Sequence, residues 1–423
     1  MKNLNLKHPV AIISLHIFVV ITAYLLCNAF LQGYAAPTNS NLQHYDVAYY
    51  YSIKNIGYLF LRGRANNLAF FPLFPYLWGL TTLNILFMGI FNCLLFSGSL
   101  YLLLKDSKLP GNILLFLLSF PSFLFFVIPY AEALFFFFSV FIILGYKRQS
   151  DLLLCIGLLG ASMVRSTCVI FVPAIIICDV FEMYSLGFSK RRLLAMLYRI
   201  AASIAGFIAA AFWMAYYTHK WFYFVAVQKY WHRAWSLPRF PLTTIQASRV
   251  LSLDAIAFVL ACIALFFCFM ILIKLIKGQR TADSDAGLII EKQVLFSILF
   301  IVGVTILDTG FTNKLKDGTN IWSLNRHMMC TAFSVSFILF LYQKYKPTRN
   351  ELIGLVLIVL LGIYATGVFH YLKLTMFYLL FFVALSSLKF QFKLNKLFVL
   401  YYLFAVFLQI SFYSDFLAYK WVG

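Results

Sequence analysis

Residues 111–183 read GNILLFLLSFPSFLFFVIPYAEALFFFFSVFIILGYKRQSDLLLCIGLLGASMVRSTCVIFVPAIIICDVFEM, and this stretch decides the fold. Four apolar runs, 111–128, 131–146, 151–164 and 167–183, follow one another with only short polar gaps. Turns at IPYAE and VRST make two tight hairpins of them. An outer-membrane strand would alternate polar and apolar residues over about ten positions, and these runs do not alternate. They are helices, and helices this short stand nearly upright or sit inside a bundle.

The rest of the chain agrees. Of 423 residues, 63% are apolar and 11% charged, and mean hydropathy is +0.88. A soluble domain carries about 25% charged residues, so that class is excluded, as is disorder. A span takes roughly 20 apolar residues. Further runs at 10–31, 77–104, 194–217, 251–273, 289–308, 327–342, 352–370, 372–387 and 397–413 bring the total to about 13. The expectation is one all-α integral membrane domain over 1–423, a polytopic helical bundle with no separate soluble part. No GxxxxGK[ST] or GxGxxG occurs, so a nucleotide-driven transporter in one chain is excluded.

Lys and Arg total 34 and Asp and Glu 14, a net charge of +20. The basic residues fall mainly in short gaps between runs. That suits positive-inside bias and anionic membrane lipids rather than nucleic acid. With the basic MKNLNLKH inside, the first run is a retained span, and residues 32–67 form a long external loop. A second external loop, 218–249, interleaves basic and aromatic residues. The eight cysteines lie in or beside apolar runs and the seven histidines form no HxxxH or HExxH pair, so neither a disulfide framework nor a metal site is expected.

Sorting the few acids by side isolates two. Asp254, Asp308 and Asp415 sit at span ends, where solvated or capping roles are common, and Asp317 lies in the turn signature KDGTN. Asp46 lies in LQHYDVAYYYSIKNIGY among tyrosines at helical spacing. It is a candidate general base for an acceptor hydroxyl; the alternative is a surface carboxylate. Glu132 and Arg165 occupy the outer turns of adjacent hairpins. Ionisable residues in such apolar sequence are functional candidates, or they pair with each other and staple the hairpins. Arg326, in SLNRHM, either snorkels to the interface or binds phosphate with two parallel hydrogen bonds. The second loop, with Trp221, Lys229, Tyr230, Trp231, Arg233, Trp235 and Arg239, suits an anionic headgroup bearing a sugar, or a plain interfacial helix.

The ordered series HYDVAYYYSIKNIGY, AFFPLFPYL, PYAEALF, VRST, QKYWHRAW and SLNRHM resembles the PIG-V-like family of GT-C membrane glycosyltransferases. The likeness covers about residues 40–240, with an echo at 323–330. It implies transfer of a sugar, usually mannose, from a polyprenyl- or dolichyl-phosphate donor to an acceptor hydroxyl on a glycan or glycolipid. Transfer would be inverting and would take place at the external or luminal face. It implies Asp46 as catalytic base and Arg165 and Arg326 on the donor phosphate. His44, Tyr45, Gln228 and Trp231 would be in substrate contact, with Glu132 supporting them. The co-substrate is the lipid-linked sugar, and no metal is expected, because arginines neutralise the phosphate. His44-Tyr45 stands where that family has Arg-Trp, and Arg326-His327 where it has Arg-Tyr. Composition and compact length suit a bacterial inner membrane, with an endoplasmic reticulum setting for a eukaryotic chain. The competing readings are a lipid-linked oligosaccharide flippase or other secondary transporter, and an O-antigen-polymerase-like enzyme. A transferase requires Asp46, Arg165 and Arg326 to converge on one cavity, whereas a transporter requires a central path.

Overall fold

The computed structural model describes residues 8–61, 63–231, 233–242, 250–276, 290–312, 319, 321, 323–390 and 395–422. Most of the basic N-terminal stretch, residues 243–249 of the second loop, Asp283, Asp285 and Asp317 lie outside these residues.

The helices run in order α1 (Pro9–Phe30), α2 (Asn39–Leu42), α3 (Asp46–Ile56), α4 (Leu73–Thr81), α5 (Ile85–Leu104) and α6 (Gly111–Leu118). Then come α7 (Glu132–Arg148), α8 (Asp151–Val164), α9 (Phe171–Leu186), α10 (Lys190–Thr218), α11 (Tyr223–Ala226) and α12 (Leu251–Ile276). The chain continues through α13 (Lys292–Gly310), α14 (Leu324–Met329), α15 (Ala332–Gln343), α16 (Arg349–Ala365), α17 (Leu372–Phe390) and α18 (Asn395–Leu417). A two-residue strand β1 (Ala234–Trp235) pairs antiparallel with β2 (Phe311–Thr312).

The protein is an all-α membrane bundle. Among the described residues, eight helical segments are long and apolar enough to cross a membrane. The other five of the expected 13 runs hold helices of 8 to 17 residues, namely α6, α7, α8, α15 and α16. Thr82, left-handed at φ 53°, and the Asn84 cap split the 77–104 run into α4 and α5. Pro121 ends the α6 run and opens a 3-10 turn to Phe126. Cys330 and the Thr331 cap cut α14 from α15.

Of the helices in the four opening runs, α7 is the most deeply buried. Along α7, Ala133, Phe135, Phe136, Val140 and Ile142 are all but inaccessible. Close approach depends on small residues: a Cβ at Gly206 of α10 would lie 2.3 Å from the Leu159 carbonyl oxygen of α8.

A mixed-charge network joins one end of these helices. Arg199 of α10 donates to Asp179 of α9 and Asp151 of α8, both at 2.7 Å. Lys292 of α13 pairs with Asp179 and with Glu182. The Tyr146 ring lies 5.7 Å from the Arg199 guanidinium and 5.4 Å from the Lys292 ammonium. From Lys292 to Asp308 at the other end of α13 is 16 residues, or about 24 Å of helix.

Candidate functional site

At that other end, four ionisable side chains from distant parts of the sequence form one connected chain. Arg326 Nη2 donates to Asp46 Oδ2 at 2.5 Å, and its Nε donates to Glu132 Oε1. Arg165 Nη1 donates to the same Glu132 oxygen at 2.6 Å. Glu132 is sealed at 0% exposure, whereas the Asp46 and Arg165 side chains keep 16% and 14% of their surface. The interior of the chain is therefore a carboxylate, and its accessible rim carries one carboxylate and one guanidinium.

Local structure explains each position. Asp46 is the first residue of α3, where a carboxylate meets the positive end of the helix. The turn into it is forced: Tyr45 has φ 49°. Its hydroxyl donates to the Tyr419 carbonyl at 2.5 Å. Glu132 opens α7 after the 128–130 turn. Asn92 of α5 donates to the Ile128 and Tyr130 carbonyls, both at 2.8 Å. A Cβ at Gly89 would come within 2.6 Å of the Val127 carbonyl oxygen, so α5 lies directly against this turn. Arg165 caps α8 in an extended conformation.

Arg326 has the most elaborate support. Its guanidinium carbon sits 4.4 Å from the Tyr130 ring centroid and 5.4 Å from that of Phe125, a cation–π arrangement in a dry setting. The preceding residue, Asn325, donates its backbone N–H (2.8 Å) and its amide (2.6 Å) to Asp254 Oδ1. Ser122 donates to Asn325 Oδ1 at 2.5 Å. Asp254 is fully buried on α12, not a solvated span-end acid, because it holds the short helix that presents Arg326. Asp308, at the last turn of α13, is likewise engaged: it is 2.7 Å from His327 Nδ1. Asp415 pairs with Lys420 at 3.0 Å.

The other sequence candidates are near but not joined. His44 packs between the rings of Phe416 (4.2 Å) and Tyr419 (4.6 Å), and burial lowers its pKa. Trp231 lies edge-on to Tyr49 (5.3 Å) and Phe70 (6.0 Å). Gln228 turns back to the Phe224 carbonyl at 3.2 Å and does not touch the cluster. Sequence reasoning did not link Asp254 to Asn325, Asp308 to His327 or Tyr130 to Arg326. The signal for two of them was adjacency, since Asn325 and His327 flank Arg326. Among the described residues, no three His, Cys, Asp or Glu side chains gather as a metal-ligand group.

Such a cluster can bind an anion through its arginines while a carboxylate at the rim accepts a proton. Comparison with known proteins finds no matching family model, curated protein or solved structure.

Proposed function

We propose that the protein is a membrane glycosyltransferase of the PIG-V-like, GT-C type. In this reading about 13 helices cross or enter the bilayer. The protein takes a hexose, with mannose the first choice, from a polyprenyl or dolichyl phosphate and passes it to an acceptor hydroxyl on the external or luminal side. The observation that carries the reading is the connected series Asp46–Arg326–Glu132–Arg165, assembled from residues up to 280 positions apart.

The chemistry follows from the charges. The acceptor hydroxyl gives its proton to Asp46 as its oxygen bonds to the anomeric carbon. The bond from that carbon to the phosphate oxygen breaks on the opposite face, and the lipid phosphate leaves with the electron pair. Negative charge grows on the phosphate, and guanidinium groups in a low-dielectric wall stabilise it more strongly than in water. Arg326 is shared between the two halves of the reaction. It pairs with Asp46; a donor phosphate competes for it and releases the carboxylate to take the proton. Glu132, sealed beneath both arginines, fixes their spacing.

The test is direct. Purified protein is assayed with a panel of polyprenyl-phosphate hexoses and simple glycan or glycolipid acceptors. Wild type transfers one of the sugars with inversion, and Asp46→Asn loses about 10²–10⁴-fold in rate while still binding donor. Transfer by Asp46→Asn at the wild-type rate refutes the assignment of the base. Counterflow of a lipid-linked oligosaccharide in vesicles, without transfer, favours the transporter.

A further inference from the structure

Arg165 and Arg326 are both already matched to carboxylates, Arg326 to two of them. A phosphate arriving at the cluster meets cations whose charge is spoken for. Arg233 is different. It forms no ion pair and no side-chain hydrogen bond with any described residue, although it is only partly exposed. Its guanidinium is within electrostatic reach of Asp308, Asp46, Arg326 and Arg165.

The backbone around Arg233 is tethered on both sides. Its own N–H donates to the Gln228 carbonyl at 3.1 Å. The next residue, Ala234, pairs with Thr312, and Ser236 donates to the Gly310 carbonyl at 2.8 Å, which ties the segment to the end of α13 that carries Asp308. Two residues before it, Trp231 rests against Tyr49, one helical turn from Asp46. The segment that carries Arg233 thus runs from a contact with α3 to the Asp308 end of α13. Burial lowers its pKa; Arg326 and Arg165 act in the same direction, against Asp308 and Asp46. A partly buried cation with no partner of its own costs stability unless a ligand completes it. Two further buried polar atoms also lack a partner among the described residues, Trp231 Nε1 and Glu132 Oε2.

We infer that Arg233 is the principal phosphate-binding residue of the site, supplying a positive charge unpaired among the described residues that recruits the phosphodiester joining prenyl chain to sugar in the donor and holds the prenyl phosphomonoester left once the sugar has been transferred. This rests on the transferase reading and moves the main donor contact away from Arg165 and Arg326. Those two are left to position Asp46 and to stabilise charge once the donor is in place.

The test uses full-length protein in neutral maltoside micelles, with binding followed by tryptophan fluorescence. The probes are farnesyl phosphate, farnesol, dioleoyl phosphatidate and inorganic phosphate. Wild type binds farnesyl phosphate more tightly than farnesol by about tenfold to a hundredfold, the worth of a hydrogen bond to a charged group. Arg233→Gln abolishes that preference, Arg233→Lys retains part of it, and Arg191→Gln, exposed in the first turn of α10, leaves it unchanged. Thermal unfolding of each variant identifies one that has failed to fold, and Arg233→Lys then decides.

The inference is overturned by undiminished farnesyl phosphate binding in Arg233→Gln, or by a wild type that does not distinguish the phosphate from the alcohol. Equal, Arg233-dependent binding of phosphatidate assigns the residue to membrane phospholipid and overturns the donor assignment. Equal binding of inorganic phosphate overturns the prenyl requirement. Arg233-dependent binding without any sugar transfer sinks the transferase reading alone. Transfer by Arg233→Gln with an unchanged donor KM sinks this inference alone.

Discussion

The bundle carries a buried ionic network at each end, and the two are built alike. Each sets two cationic side chains against carboxylates, each places a tyrosine ring against a cation, and each leaves one buried carboxylate oxygen with no partner among the described residues: Asp179 Oδ2 and Glu132 Oε2. They differ in what they join. The Asp179 network links α8, α9, α10 and α13, elements that already pack as bundle helices. The Asp46 network reaches out to a loop helix, α3, and to the six-residue α14, neither long enough to span. A staple needs only the helices it fastens. A network that draws in short, separately supported elements is spending structure on placement, which is the mark of a site.

The largest test of that difference is a paired substitution. Asp46→Asn lowers transfer by about 10²–10⁴-fold with little change in unfolding temperature, while Asp179→Asn lowers the unfolding temperature and spares turnover. Equal effects in the two variants would erase the distinction. Removing a shared cation comes next. Arg326→Ala leaves Asp46 without its cation and Glu132 with Arg165 alone, and Arg199→Ala leaves Asp179 with Lys292 alone; each loses charge-assisted hydrogen bonds and costs about 1.5–3 kcal/mol of stability, measured by denaturation in detergent. Arg326→Lys separates the ends again: it keeps charge but loses the planar fork, so donor use falls steeply while the fold persists. Asp254→Ala leaves the Asn325 donors unmatched and costs about 1–3 kcal/mol. It raises donor KM through Arg326, and a KM that does not move would deny Asp254 its positioning role.

The smallest effect is one of pH. His44 has its pKa lowered by burial, so the unfolded chain binds more protons than the folded one as pH falls below about 6.5. Docking of the first loop is therefore fully supported above that pH and weakens below it. Histidine-to-phenylalanine substitution at 44 flattens the profile, read by protease protection of residues 32–67.

The helical membrane class was legible because hydropathy is a sum over many residues and tolerates local error. The span count of about 13 is not confirmed by helix length, since Pro121 and Thr331 break the 111–128 and 327–342 runs and α7 and α16 end at 17 residues. Asp46, Glu132, Arg165 and Arg326 stood out because charges are scarce in apolar sequence. Their mutual contacts span up to 280 positions, and no local pattern encodes a separation of that size. Asp254 was misjudged for a physical reason. Position at a span end predicts solvent, but a neighbouring short helix with an exposed backbone N–H can claim the same carboxylate. Gln228 makes no such long-range contact, because its amide donates to the nearby Phe224 carbonyl.

The clasp between the first loop and the end of α18, where Tyr45 reaches the Tyr419 carbonyl and His44 stacks on Phe416 and Tyr419, bears on biogenesis. The shelf under Asp46 is finished only when α18 has left the ribosome and entered the bilayer. A chain that stops before α18 lacks the Tyr419 carbonyl and the Phe416 ring that seat this loop, even when every earlier helix has been inserted.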